Sequence, residues 1–335
     1  MQNLRCVIPA ARQVTMVELD LPPLGADEVR IRTKYSLVSP GTEGAMFAGT
    51  HIGFSDPENL YAKYPFLPGY TAVGEAIEVG PAVAGIAPGD LLYAYGKHER
   101  IGTASTSKSV VLKPPASLDP AHIPFVRLAQ VSYTALVASE GAPSGIVAVV
   151  GLGMIGNFAA QIYQRAGARV IGFDTLEARC AWARACGIRE VFRVDGDLVE
   201  AVLSATGGER AALTVEATGN GALVESCLRT VGFRGTVVLL GSPRQKATID
   251  VYKFIHRPAA RLVGAHVNLV PTIAETGLDQ RAVTRELLGA MAAGEIVVAP
   301  LLSRIVAPAE LEASYVALEE KREEVIGVLL DWQGR

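Results

Sequence analysis

The sequence predicts an α/β chain of two parts, a doubly wound parallel sheet and a mostly β domain. Three observations carry this. From residue 146 onward short apolar runs alternate with helical stretches, the rhythm of βαβ units. Before residue 118 the β-type runs are cut instead by Pro and Gly. Residues 292–335 return to short-strand character and are too few to fold alone. The expected division is therefore 1–118, completed by 292–335, and 119–291.

In the first part, Pro22-Pro23, Pro40-Gly41, Pro68-Gly69, Gly80-Pro81, Pro88-Gly89-Asp90 and Pro114-Pro115 punctuate the chain, and 73–79 and 91–95 read as strands. In the second part, 146–150 is a strand, and Met154, Phe158 and Ile162 then recur at helical spacing. Strand 169–173 leads to a helix over 176–186, stopped by Gly187. Strand 190–194 precedes a helix over 198–205 that ends at Gly207-Gly208. Strand 213–217 turns through Gly219-Asn220-Gly221, with Asn220 a good N-cap for the helix reaching Leu228. Strand 236–240, a short helix from Val251 that Pro258 cannot continue, and strand 261–264 complete six crossover units. The tail adds a helix over 308–320, with Leu311, Tyr315 and Leu318 on one face, and a run over 325–330.

Composition removes other classes. Of 335 residues, 50% are hydrophobic and 19% charged, the reverse of a disordered chain. A net charge of -3 without charge blocks argues against a nucleic-acid binder. The longest apolar stretch, 146–156, falls short of the roughly 20 residues of a membrane span. No basic-then-apolar leader is visible at the start, so a cytoplasmic protein is expected. The scattered Cys6, Cys180, Cys186 and Cys227 form neither a disulfide framework nor a zinc motif.

Gly151-Leu152-Gly153-Met154-Ile155-Gly156 follows a predicted strand and opens a predicted helix. This is the Rossmann dinucleotide fingerprint: the glycines permit the tight turn, the approach of pyrophosphate and close helix–sheet packing. Asp174 closes the second strand, where an acid can hydrogen-bond the adenine ribose. That carboxylate would repel a 2′-phosphate, so NAD is expected over NADP. Arg179 can soften the repulsion or simply be a solvated helix arginine. Thr175, Ala217, Thr218, Gly241, Ser242, Pro243, Ala265 and His266 stand just beyond strand ends, where ligands of such sheets gather.

Ser39-Pro-Gly-Thr-Glu43, Tyr64-Pro-Phe-Leu-Pro-Gly-Tyr-Thr71, Gly74-Glu-Ala-Ile-Glu-Val-Gly80, Pro88-Gly89-Asp90, the glycine loop, Glu216-Ala-Thr-Gly219 and Leu240-Gly-Ser-Pro243 together resemble the medium-chain dehydrogenase/reductase superfamily. The resemblance spans essentially the whole chain and implies a GroES-like catalytic domain beside the Rossmann domain. In zinc-dependent members a Cys-Gly-Thr-Asp segment and a Gly-His-Glu segment supply ligands. By that correspondence Pro40, Tyr70 and Thr71 stand where Cys, His and Glu would be, and Arg127 stands near a further ligand position. The four-cysteine lobe of zinc members is also missing. The expectation is a zinc-independent branch similar to the bacteriochlorophyllide (hydroxyethyl) dehydrogenase-like group, with no metal.

Something must then polarise the substrate oxygen and move a proton. Thr42 matches a hydroxyl that relays protons in the superfamily, or else caps its own turn. Tyr70 can donate to the substrate oxygen, or pack the cleft floor. Ser39 and Glu43 flank them, Glu43 as a residue that orients its neighbours. Arg127 either binds an acidic group or pairs with a structural carboxylate. His51, Tyr61 and Tyr64 lie in a Gly/Pro-interrupted segment over 47–66 that reads as a ring-recognising lid or as a packed loop. His98 follows a strand end and is either near the substrate or a solvated loop histidine.

The expected function is zinc-independent, NAD-dependent hydride transfer between the cofactor and a secondary alcohol or ketone on a ring-bearing small molecule (sugar, cyclitol or tetrapyrrole side chain). An NADPH-dependent enone reductase is the alternative, and a non-catalytic redox sensor the third reading. The resemblance also implies a homodimer paired along the sixth strand.

Overall fold

The computed structural model describes residues 2–334 and divides into two compact units. The first holds residues 2–127, 271–292 and 302–334; the second holds 128–270 and 293–301.

The second unit is a six-stranded parallel sheet. Its strands lie in the order Glu190–Arg193, Arg169–Asp174, Ile146–Val150, Ala211–Glu216, Val231–Leu239, Arg261–Gly264. The order reverses direction beside Ile146–Val150, which is buried along its whole length, as a strand covered on both faces must be. Phe173, Val150, Glu216, Leu239 and Gly264 stand in one row across the sheet, so the loops that follow these strands leave from a single edge.

The first unit is built on a mixed, mainly antiparallel sheet. Glu28–Leu37 is its long central strand, pairing with Ala72–Val79, Ile101–Ser105 and Val328–Asp331. The end of the chain is thus woven into the sheet made by its beginning, and Arg304–Val306 pairs parallel to Val328–Asp331. A separate hairpin joins Gln2–Val7 to Thr15–Asp20. The helix Leu311–Glu320 lays Leu311 and Tyr315 into a core with Met46 and Phe47 of the short helix Thr42–Ala48, and the Tyr315 and Phe47 rings stack at 5.0 Å. Burying such side chains contributes about 2–3 kcal/mol each.

The boundaries differ from those expected at 118/119 and 291/292. The first crossing falls at 127/128, and residues 271–292 belong to the first unit. The reason is the helix Gln280–Ala292, tied to the first unit by polar side chains. Gln280 accepts from the Tyr95 hydroxyl at 2.8 Å, and Arg281 donates to the carbonyls of Thr106 (2.5 Å) and Ser109 (3.2 Å). Asp279, whose Oδ1 accepts from the Ala282 amide at 2.7 Å, caps this helix and is the signal in the sequence that marks it. Asn220 caps as expected, accepting from the Ala222 amide at 3.1 Å. Among the described residues no helix is long and apolar enough to cross a membrane.

Candidate active site

In the second unit the glycine loop is built from backbone. Gly151 adopts φ +90°, and a side chain there would meet the Cγ2 of Thr218 at 2.6 Å. A Cβ on Gly156 would stand 1.8 Å from the Gly151 carbonyl oxygen, so the helix Met154–Arg165 can start against the strand only with glycine at 156. A Cβ on Gly153 would meet nothing within 4 Å; the space is open to a ligand. Leu152 and Met154 are buried, and Ile155 accepts from the Ser132 hydroxyl through its carbonyl at 2.8 Å. The first turn of the helix points amides toward the loop, an anion-binding arrangement.

Asp174 is largely engaged by the protein itself. Its Oδ2 accepts from the Leu152 amide at 2.7 Å and its Oδ1 from the Leu176 amide at 2.9 Å, with the residue only 6% exposed. It therefore braces the glycine loop, and each oxygen retains a further lone pair for a ribose hydroxyl. Arg179 is not a solvated arginine: its Nη1 lies 3.6 Å from Asp174 Oδ2 and its side chain is half-buried. Thr175 is exposed beside it.

The remaining residues named for the cofactor leave the same sheet edge. Ala217 donates through its amide to the Val150 carbonyl at 2.8 Å. Thr218 is exposed, with its amide and hydroxyl both donating to Glu216 Oε1. Gly241 packs on Gly219, Ser242 and Pro243 are exposed, and Ala265 is fixed by a 3.0 Å bond from its amide to the Leu239 carbonyl. His266 is exposed, and its Nδ1 accepts from the Asn268 amide at 3.2 Å. Glu216 organises the turn over 217–219, and burial raises its carboxyl above the usual carboxylate range. Its place at the end of a buried strand is the sequence signal for this role.

In the first unit the candidates converge around Tyr70. Its phenol is pushed well above its ordinary range, first by burial and then by the Glu43 charge; the Ser39 hydroxyl and the Arg127 guanidinium pull the other way. Arg127 lies 5.8 Å from the Tyr70 ring centre and 4.2 Å from that of Tyr95, and donates to the Tyr95 hydroxyl (2.6 Å) and to Gln280 (2.9 Å). Thr42 opens the short helix Thr42–Ala48 and is half-buried. Ser39 is buried.

Glu43 and His98 are buried partners, with His98 Nε2 3.0 Å from Glu43 Oε2. The solvated-loop reading of His98 is thereby corrected: it is fully enclosed because its backbone is held to Cys6 and Pro68 and its ring lies between Ser36 and Glu43. Ser36, Tyr315 and Trp332, which complete this cluster, carry no local motif and are found only through the topology.

In the segment over 47–66, Tyr64 donates to the Met46 carbonyl at 2.6 Å and packs on Phe54 at 4.9 Å, which fits the packed-loop reading for this residue. Tyr61 is 51% exposed, with its ring 5.5 Å from Phe66 and 5.8 Å from His51. His51 accepts from the Gly53 amide at 3.1 Å.

Pro40, Tyr70 and Thr71, which the resemblance sets at metal-ligand positions, do not suit zinc, which takes thiolate, imidazole or carboxylate. Pro40 offers no side-chain donor, Tyr70 is held as a neutral phenol, and the Thr71 hydroxyl is buried and donates to the Pro124 carbonyl at 2.9 Å. Among the described residues no group of three or more His, Cys, Asp and Glu side chains is placed to hold a metal ion.

Residues 154–280 match the zinc-binding dehydrogenase family. That match includes none of residues 39–71. The chain is 28% identical over 251 residues to D-guloside 3-dehydrogenase of Escherichia coli, covering 70% of this chain and 72% of that protein. It is 26% identical over 269 residues to L-threonine 3-dehydrogenase of Bacillus velezensis, covering 71% and 75%. Among solved structures it is similar to an oxidoreductase/dehydrogenase of unknown specificity from Escherichia coli, with TM-score 0.84, 17% identity and 99% of each chain covered. It is also similar to galactitol-1-phosphate dehydrogenase from Escherichia coli, with TM-score 0.81, 18% identity, and 98% of this chain and 99% of that one covered. The fold is thus that of the dehydrogenases it resembles, with a parallel sheet, a glycine loop and a mixed sheet, and residues 154–280 carry the likeness to the zinc-binding dehydrogenase family.

Proposed function

We propose that this chain is a metal-independent, NAD-dependent dehydrogenase that interconverts a secondary alcohol and a ketone on a ring-bearing small molecule such as a sugar or cyclitol. The observation that carries this reading is Tyr70: a phenol held in its neutral form, where zinc-type relatives place a ligand, beside Ser39 and Arg127. A neutral phenol can hydrogen-bond a carbonyl oxygen and give up its proton as negative charge develops there. The cofactor, when bound, supplies or accepts the hydride. In the reductive direction Tyr70 protonates the nascent alkoxide and Thr42 returns a proton to it from solvent. In the oxidative direction the proton retraces that path. Arg127, stacked on Tyr95, offers a fixed positive charge to a substrate oxygen.

The glycine loop with Asp174 is the cofactor's seat. A 2′-phosphate beside the Asp174 carboxylate meets a like charge, which the Arg179 guanidinium 3.6 Å from that carboxylate partly offsets, and the acid at this strand end supports NAD over NADP. The likeness to a protein named D-guloside 3-dehydrogenase supports a sugar-type substrate. The edge strand Arg261–Gly264 supports a homodimer, and the absence of membrane-length helices among the described residues is in keeping with a cytoplasmic enzyme.

The test is an incubation with NAD⁺ and a panel of polyols, glycosides and hydroxyethyl tetrapyrroles, run beside NADPH with enones. Formation of NADH with a secondary alcohol bears the reading out. Turnover confined to NADPH and enones replaces it with C=C reduction, and cofactor binding without turnover on either panel leaves a redox sensor.

A further inference from the structure

Five side chains brought from distant parts of the first unit form one buried hydrogen-bonded relay: Trp332, Ser36, His98, Glu43 and Tyr315. Each is less than 7% exposed. An indole N–H can only donate, so Trp332 Nε1 donates to Ser36 Oγ at 2.9 Å. A carboxylate oxygen can only accept, so His98 donates through Nε2–H to Glu43 Oε2 at 3.0 Å, while its Nδ1 lies 2.8 Å from Ser36 Oγ. Tyr315 donates to the same oxygen at 2.8 Å, and the Gly69 amide donates to Oε1 at 3.2 Å. Three donors thus converge on a single carboxylate.

Stability alone does not call for such a device, because a well-packed apolar cluster would serve as well. What the relay reaches is the backbone immediately before Tyr70. Gly69 has φ +91°, and a Cβ on it would stand 2.3 Å from the His98 nitrogen. That nitrogen donates to the Pro68 carbonyl at 3.0 Å. The Pro68-Gly69 link is thus gripped on one side by the backbone of His98 and on the other by the carboxylate of Glu43.

We infer that Glu43, backed by His98, Ser36, Tyr315 and Trp332, is a positioning residue for Tyr70, fixing the backbone that carries its phenol. The inference rests on the Proposed function for the role of Tyr70, and deepens it. The charged and titratable groups that bear on this phenol are Glu43, Arg127, Tyr61, Tyr93 and Tyr315. Of these, Glu43 supplies the negative charge that opposes ionisation, and Arg127 the positive charge that favours it.

The experiment places 3,5-difluorotyrosine, whose phenol ionises nearer neutrality, at position 70 of the full chain and follows its titration by ¹⁹F NMR. Glu43→Gln is expected to lower the midpoint by about 1 pH unit; an unmoved midpoint overturns the inference. Should Glu43→Gln fail to fold, Tyr315→Phe removes one donor from the same carboxylate while keeping the ring on Phe47. It is expected to shift the Tyr70 midpoint, and an unmoved midpoint again overturns the inference. Neither readout depends on turnover. Tyr70→Phe with full activity would remove the Proposed function instead, so the two failures are distinguishable.

Discussion

The glycine loop of the second unit and the Tyr70 corner of the first hold their working groups by opposite means. In the loop, backbone does the holding: Gly151 turns at φ +90°, Gly156 lets the helix press on the Gly151 carbonyl, and Asp174 braces the Leu152 amide. In the corner, side chains do it. Glu43 receives hydrogens from His98, Tyr315 and the Gly69 amide, and a guanidinium stacked on Tyr95 stands on the other side of the phenol. A backbone device tolerates almost any side chain that leaves space, whereas a side-chain relay fails at any one of its members. On the proposed function, the loop can therefore serve many reactions and the corner sets the one.

The largest effect that would sharpen this contrast is at Tyr70. Tyr70→Phe keeps the ring and removes the donor, and is expected to lower kcat about 10²–10⁴-fold with NAD⁺ affinity unchanged. Steady-state kinetics beside a fluorescence titration of NADH separates the two quantities. Equal losses in both would break the division between the units.

The next test contrasts two glycines of the loop. Gly156→Ala drives a methyl group into the Gly151 carbonyl and is expected to cost about 3 kcal/mol of stability, read as a lowered Tm. Gly153→Ala meets no protein atom, so its Tm is expected to stay within a degree or two while NAD⁺ affinity drops about tenfold, or about 1.4 kcal/mol. If the alanine at 153 binds NAD⁺ normally, its open space is not the approach path for pyrophosphate.

The corner also has an alkaline signature, one shared by Tyr163 of the second unit. Tyr70, Tyr93 and Tyr315 are all raised above the ordinary 10.0, with burial the leading cause in each. The unfolded chain ionises these phenols from about pH 10, while the folded chain keeps them protonated. Their contribution to stability is thus fully present below pH 10 and declines as pH rises beyond it. Thermal melts between pH 8 and 11 check this; a Tm that holds above pH 10 would contradict it.

The smallest effect expected is at Tyr61, half-exposed with its ring against Phe66 and His51. Tyr61→Ala is expected to raise KM about 3–10-fold at unchanged kcat if the ring stacks on substrate. An unchanged KM would make this residue part of a packed loop, as Tyr64 is through its bond to Met46.

The same contrast explains what the sequence makes visible. The second unit is written in local code: glycine spacing, a strand before and an acid after, and Asn220 before its turn all sit within a few residues of what they organise. Even there, Asp174 reads as a ribose ligand while its bond to the Leu152 amide, across 22 positions, stays hidden. The first unit is written in topology. Tyr315 reaches Glu43 across 272 positions and Trp332 reaches Ser36 across 296, because the strand Val328–Asp331 is laid antiparallel against Glu28–Leu37. No spacing rule announces that His98 is buried, and the Pro/Gly setting of its loop suggests the reverse. The helix Gln280–Ala292 was within reach through Asp279, yet its allegiance to the first unit depends on Tyr95 and Thr106, which sequence distance conceals.

On the proposed function, a protein phenol does what a metal does in zinc-type relatives. Dialysis of the purified enzyme against a strong chelator, followed by elemental analysis and a turnover assay on any substrate identified from the panel, measures this directly. Full activity at well below one metal ion per chain is the expected result. Activity that is lost on dialysis and restored by Zn²⁺ would contradict the account.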